Sequence, residues 1–132
     1  MPFIEVALAD AKEPSIMDES EYSMRIQQAE LKPGKVEGKL NLEVMTIYDD
    51  HPDAAPCFTY LPLPHSTDDE KARKFKQLQI KRILVQFDIP HEGNGFDPTD
   101  FAGASALART KPGEYEGRLN NQLVINNLPQ ED

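Results

Sequence analysis

A chain of 132 residues with 39% hydrophobic and 28% charged side chains has the composition of one folded domain, which excludes wholesale disorder and leaves no room for a second core. No apolar run approaches the ~20 residues of a membrane span. Cys57 is the only cysteine, which excludes an intrachain disulfide and a cysteine-based zinc site. The net charge of −9 argues at first against nucleic acid, but the acid is gathered at the ends. Residues 1–21 carry Glu5, Asp10, Glu13, Asp18, Glu19 and Glu21 against Lys12, and Glu131 and Asp132 close the chain. The body between them is nearly neutral, so charge neither demands nor forbids a DNA-binding face. The start, Met1-Pro2-Phe3-Ile4-Glu5, lacks the basic region and apolar core of a signal peptide, and the expected location is cytoplasmic.

Residues 1–19 form an acidic segment whose apolar run, Phe3 to Ala9, suits a short strand, a short helix or an arm; residues 20–132 are expected to be the folded domain. From 20 to 31, Tyr22, Met24 and Ile26 alternate with Ser23, Arg25 and Gln27, the period of a half-buried strand. Leu40, Leu42 and Val44 repeat the alternation, and Met45 to Tyr48 read as buried on both faces of a second strand. A third, short strand spans 57–61 and closes on Pro62 and Pro64. Thr67 or Asp68 then caps a helix whose acidic first turn suits the positive end of its dipole. Its apolar stripe shifts partway along, which predicts a bend or break near Gln79, and the helix is expected to stop before Pro90. Residues 90–100 are a loop. A fourth strand over 101–109 and a fifth over 119–128 complete the chain.

One stretch occurs twice. Residues 32–39 read Lys-Pro-Gly-Lys-Val-Glu-Gly-Lys, and residues 111–118 read Lys-Pro-Gly-Glu-Tyr-Glu-Gly-Arg. Proline followed by glycine suits a turn, so both copies are expected at hairpin tips. The predicted order is strand, hairpin, strand, strand, helix, strand, hairpin, strand, which matches a mostly β, five-stranded OB-fold barrel with one helix between strands three and four. In that fold the two hairpin loops flank the ligand face.

The same residues resemble a family of phage-encoded single-stranded DNA-binding proteins built on the OB-fold, over about residues 22–129. Ala29-Glu30-Leu31-Lys32 and the stretch from Leu42 that ends in Asp50-His51-Pro52 carry the likeness. So do Phe58-Thr59-Tyr60-Leu61-Pro62-Leu63-Pro64, the pair Lys81-Arg82, and Glu114-Tyr115-Glu116-Gly117-Arg118. The resemblance implies a role in DNA replication or recombination, coating single strands in the cytoplasm of a host cell. The acidic N-terminal segment has no counterpart in it.

Binding single strands without sequence preference needs cations for phosphates and aromatic faces for bases. The candidate phosphate contacts are Arg25, Lys32, Lys35, Lys39, Arg109, Lys111 and Arg118; the candidate stacking faces are Tyr48, Phe58, Tyr60 and Tyr115. Tyr115 is the sharpest of these, because a tyrosine at a solvent-facing tip has no core to enter. Phe58 and Tyr60 read more readily as core than as stacking faces, although the prolines beside them favour exposure at a strand edge. The helix cations Lys71, Arg73, Lys74, Lys76, Lys81 and Arg82 read as a solvated face. Asp49, Asp50, His51 and Asp53 read as a solvated turn, and no metal or cofactor is expected. With no phosphate loop, nucleophile elbow or zinc spacing, the chain does not read as an enzyme. A rival reading is an acidic protein-interaction module that mimics DNA or recruits nucleic-acid enzymes without binding DNA itself. In a joint reading the acidic termini recruit replication or recombination proteins, or compete for the groove. The sequence leaves the oligomeric state open, a homodimer included.

Overall fold

The computed structural model describes residues 2–93 and 95–129. It is mostly β: β1 (Ser20–Pro33), β2 (Leu40–Tyr48), β3 (Cys57–Pro62), α1 (Glu70–Gln86), β4 (His91–Glu92), β5 (Gly95–Phe96), β6 (Ser105–Tyr115) and β7 (Arg118–Leu123). The five long strands form one antiparallel sheet in the order β3-β2-β1-β6-β7, and β4 and β5 make a small separate hairpin. No described helix is long and apolar enough to cross a membrane.

Alternation decides which side of each strand is buried. Met24 and Ile26 of β1, then Leu42, Val44, Thr46 and Tyr48 of β2, turn inward, where they meet Cys57 and Leu61 of β3 and Ala108 of β6. Ile80, Ile83, Leu84 and Phe87 of α1 cover this layer, joined by Ile89 and Phe101. Each large side chain withdrawn from water contributes roughly 1.5–3 kcal/mol, so this layer is the main source of stability. The register of β1 against β2 shifts between Ile26 and Gln28, a bulge that bends the strand. Before the bulge β1 pairs on both sides; beyond it, β2 is its ladder partner.

The helix is continuous over its seventeen residues, with no break at Gln79. Its cap is Asp69, one residue later than expected, whose carboxylate accepts the Ala72 N–H at 2.7 Å. Asp68 is engaged elsewhere. At the other end Asp88 takes a left-handed conformation (φ 51°), the Asp88 N–H reaches Val85 O at 3.2 Å, and the Ile89 N–H reaches Leu84 O at 2.8 Å. This is a Schellman stop, with Ile89 packed in the core near Leu84, so the helix ends ahead of the constraint that Pro90 imposes.

The fourth long strand starts at Ser105, not at residue 101, because Phe101 leaves the extended pattern to fill the core after a short 3-10 turn, Pro98–Asp100. The second Lys-Pro-Gly is not a turn. Pro112 and Gly113 lie within β6, and the chain reverses at Glu116-Gly117, where φ values of 51° and 78° mark a two-residue primed turn between the paired Tyr115 and Arg118. Proline is tolerated there because β1 stops pairing at Ser20 opposite Thr110, which leaves the Pro112 side of β6 without a ladder partner. At Gly113 the Gln122 side chain crosses from β7 over the space that a Cβ would take, so a larger residue there would have to displace it. The first copy lies at a hairpin end, but its Pro-Gly is not the turn either: Pro33 ends β1 paired with Leu40, the Gly34 N–H reaches Lys39 O at 2.8 Å, and the chain reverses ahead of Lys39 with the positive φ (84°) at Gly38. The last strand ends at Leu123 rather than near 128.

Residues 2–19 form an extended arm with one 3-10 turn, Leu8–Asp10, and a single bridge between Ser15 and Ala54. Glu131 and Asp132, the acidic C-terminus, lie outside the described residues. The arm has a structural task at its inner end. β3 and β7 approach each other at the two ends of the sheet without forming a ladder. Asn121 of β7, buried, spans this seam. Its Oδ1 accepts the Met17 N–H at 2.8 Å, and its Nδ2 donates to Ser15 O at 3.1 Å and to Ala55 O at 2.8 Å. Asn121→Ala strands the Met17 N–H and the Ala55 carbonyl, while Ser15 O keeps the Ala55 N–H, so we expect a loss of about 2–4 kcal/mol in urea unfolding, with protease sensitivity appearing first in residues 2–19.

Candidate nucleic-acid interface

The outward positions of β1, β2 and β3 form one surface. Across it Phe58, Met45 and Gln28 stand in register, as do Tyr60, Glu43 and Glu30. Phe58 is 48% exposed and Tyr60 58% exposed, so β3 turns both aromatics away from the core that Cys57 and Leu61 enter. Burial, then Glu43 beside it, raise the Tyr60 phenol above its ordinary value, with Lys32 and Tyr115 also close enough to act on it. Lys32, Tyr60 and Tyr115 therefore share one neighbourhood. Lys111 and Tyr115 occupy the same side of β6, with Arg118 paired opposite Tyr115. At the other end of the surface a groove of about 540 Å³ runs over Arg25, Gln27, Met45 and Ile47 to Asp49 and His51.

Most of the expected phosphate contacts are already held by carboxylates. Arg25 Nε donates to Asp49 Oδ1 at 3.1 Å, and Ser23 Oγ donates to Oδ2 of the same carboxylate at 2.8 Å. Lys32 Nζ lies 3.6 Å from Glu30 and 4.0 Å from Glu43. Lys39 Nζ is 3.9 Å from Asp68 and faces the start of α1. Arg109 Nε donates to Glu19 Oε2 at 3.1 Å, on the β6 side of β1 and apart from the aromatics. Among the described residues, Lys35, Lys111 and Arg118 have no ion-pair partner. Exposed pairs of this kind are worth roughly 0–1 kcal/mol, little enough for an incoming phosphate to exchange with the carboxylate.

Tyr48 is a correction. It is 4% exposed, its hydroxyl lies 2.7 Å from Thr110 Oγ1 and 3.8 Å from Cys57 Sγ, and its ring meets Tyr22 edge-on at 5.2 Å between centroids. Burial raises both its phenol and the Cys57 thiol above their ordinary values. No base can reach that ring, because the alternation that puts Leu42, Val44 and Thr46 inward carries Tyr48 with them. The same alternation brings Met45 and Ile47 to the outer surface, half-buried, where the sequence reads them as core on both faces. They extend the apolar floor between Phe58 and Arg25. Counting parity from Leu42 would have found them; the run of five apolar or β-branched residues, 44–48, hides it.

The structure thus brings together Lys32, Phe58, Tyr60 and Tyr115, and extends the surface to Arg25. Lys35 stands on the exposed first loop, and Lys111 and Arg118 on the second hairpin. Tyr48 does not belong to the surface, Lys39 is turned toward the helix, and Arg109 is tied to the base of the arm. No family model matches this chain, and no curated protein matches it.

Asp68 fixes the position of Lys39 and of the helix start. Lys76 Nζ donates to both its oxygens, at 2.9 and 3.0 Å, and the His65 N–H donates at 2.8 Å. The His65 N–H first, and then Lys76, hold the Asp68 carboxyl below the usual carboxylate range. A depressed carboxyl stabilises the fold above its unfolded value, near pH 4, and that contribution is lost as pH falls through the lower folded value. Thermal unfolding should therefore show Asp68→Asn below the wild type at pH 7, with the gap closing as the buffer is taken toward pH 3.

Proposed function

We propose that this chain is a sequence-independent single-stranded DNA-binding protein of the phage replication or recombination kind, with its strands arranged as an OB-type barrel. The strand order β3-β2-β1-β6-β7, with β3 and β7 meeting as the free edges and α1 following β3, supports the barrel reading. One observation carries the function: Phe58 and Tyr60 stand exposed on the outer face of one strand, with Tyr115 of the second hairpin on the same side. An aromatic left in solvent forgoes the burial that ordinarily stabilises the fold, and a flat ring in that position suits a nucleobase. Lys32 beside Tyr60, and Lys35, Lys111 and Arg118 on the two hairpins, supply charge for the phosphates between stacked bases.

The carboxylate partners of Arg25, Lys32, Lys39 and Arg109 favour the rival reading, in which an acidic surface engages a nucleic-acid enzyme and ignores DNA. One titration separates them. In fluorescence anisotropy with a labelled oligonucleotide, Phe58→Ala, Tyr60→Ala and Tyr115→Ala should each weaken binding by about 1–3 kcal/mol, or roughly 5- to 150-fold. Tyr48→Phe should leave the affinity unchanged. No binding at ~50 mM salt, or binding indifferent to salt, would reject the DNA reading in favour of the acidic module.

The salt series also counts the cations engaged. If only Lys35, Lys111 and Arg118 meet phosphate, log K should fall against log salt with a slope of about −2; if all seven candidates do, the slope should approach about −5.

A further inference from the structure

We propose that the outward face of α1 is a docking site for the N-terminal arm of a second copy of this chain, an interaction that does not depend on DNA. Helical spacing places Lys71, Lys74, Phe75, Leu78, Arg82 and Val85 on the side opposite Ile80, Ile83 and Phe87, which enter the core. A helix that covers a core ordinarily keeps its apolar residues on the core side. Here Phe75 is 60% exposed and Val85 is also exposed, framed by cations. The Arg82 Nε is buried and has no hydrogen-bond partner among the described residues. An unpaired guanidinium N–H is a costly group to leave buried, and an incoming carboxylate would satisfy it.

The arm has the complementary chemistry. Phe3, at 91% exposure, and Ile4, Val6 and Leu8 stand largely exposed among the described residues, and they are interspersed with Glu5 and Asp10. One surface is apolar and basic, the other apolar and acidic, so pairing them buries both apolar sets while opposite charges meet. Within one chain the inner end of the arm is held beside the β2–β3 connection, by the Ser15 N–H to Asp53 O at 2.8 Å and the Ala55 N–H to Ser15 O at 3.0 Å. Both surfaces stay uncovered there, and a second copy offers the complement of each. Since arm and helix are different surfaces, reciprocal exchange closes as a dimer and one-way contact continues as a chain.

The test is sedimentation velocity of the full-length protein without DNA, at low salt, from about 5 to about 200 µM, the range in which a contact of modest area saturates. The wild type should gain mass with concentration. A variant with Phe3→Ser, Ile4→Ser, Val6→Ser and Leu8→Ser should stay monomeric, as should one with Lys71→Glu, Lys74→Glu and Arg82→Glu. Mixed in equal amounts, these two should form a one-to-one dimer and nothing larger, because the first keeps the helix face and the second keeps the arm. If circular dichroism shows the charge-reversed variant unfolded, Phe75→Ser with Val85→Ser replaces it. A wild type monomeric throughout, association that persists in either variant, or a mixture that stays monomeric would each overturn the proposal. None of these outcomes bears on the oligonucleotide titration.

Discussion

Asn121 bridges the two edge strands of the sheet, which no ladder joins. Four strand pairings are made by the backbone, but β3 and β7 meet without a ladder, and a gap there would leave polar backbone facing the core. A single amide with one acceptor and two used donors joins β7 to Ala55, just ahead of β3, and to Ser15 and Met17 of the arm. The side chain thereby substitutes for part of a missing strand pairing. Inside, the Tyr48–Thr110 hydrogen bond links β2 to β6 across the same layer. These two buried polar contacts join strands that no ladder pairs, and the apolar side chains pack around them.

The outer surface takes its character from parity. Phe58 and Tyr60 of one edge strand, and Tyr115 of the hairpin at the other edge, all fall on positions that alternate with the buried ones and so stand exposed. The electrostatics of the surface are balanced rather than basic. Glu30, Glu43, Asp49 and Glu19 each neutralise a neighbouring cation. A surface built this way holds its cations in defined positions at small energetic cost and leaves the exposed aromatics between balanced charges.

Much of the fold was legible in the chain. The strands around Met24, Val44 and Leu61 and the helix over Ile80 and Ile83 follow from periodicity, since residues two apart in a strand and three or four apart in a helix share a face. What misled was local turn grammar. Pro112-Gly113 has the composition of a turn yet lies in a strand, paired with Asn121 and Asn120, and the chain reverses at Glu116-Gly117, where a primed turn matches the twist of the flanking strands even though glutamate has no preference for its left-handed φ of 51°. Asp68 has the composition of a cap, yet Lys76 and the His65 N–H claim it and Asp69 takes the role. Each error concerns a choice between two nearby residues of like chemistry, where the deciding partner is remote or lies on another turn of the chain.

The sequence by itself determined which side chains can enter a core, where the chain must extend or coil, and that its acid is gathered toward the ends. Those are properties of residues and their near neighbours. The tertiary structure decided which candidate side chains are open and which are engaged: that Tyr48 is sealed against Thr110 while Phe58 and Tyr60 stand open, that Arg25 and Arg109 are held by Asp49 and Glu19, and that Asn121 ties the arm to the sheet. The physical reason is range. Exposure and ion pairing depend on contacts between residues as many as 106 positions apart, as Asn121 and Ser15 are, and no local pattern encodes which distant group will arrive.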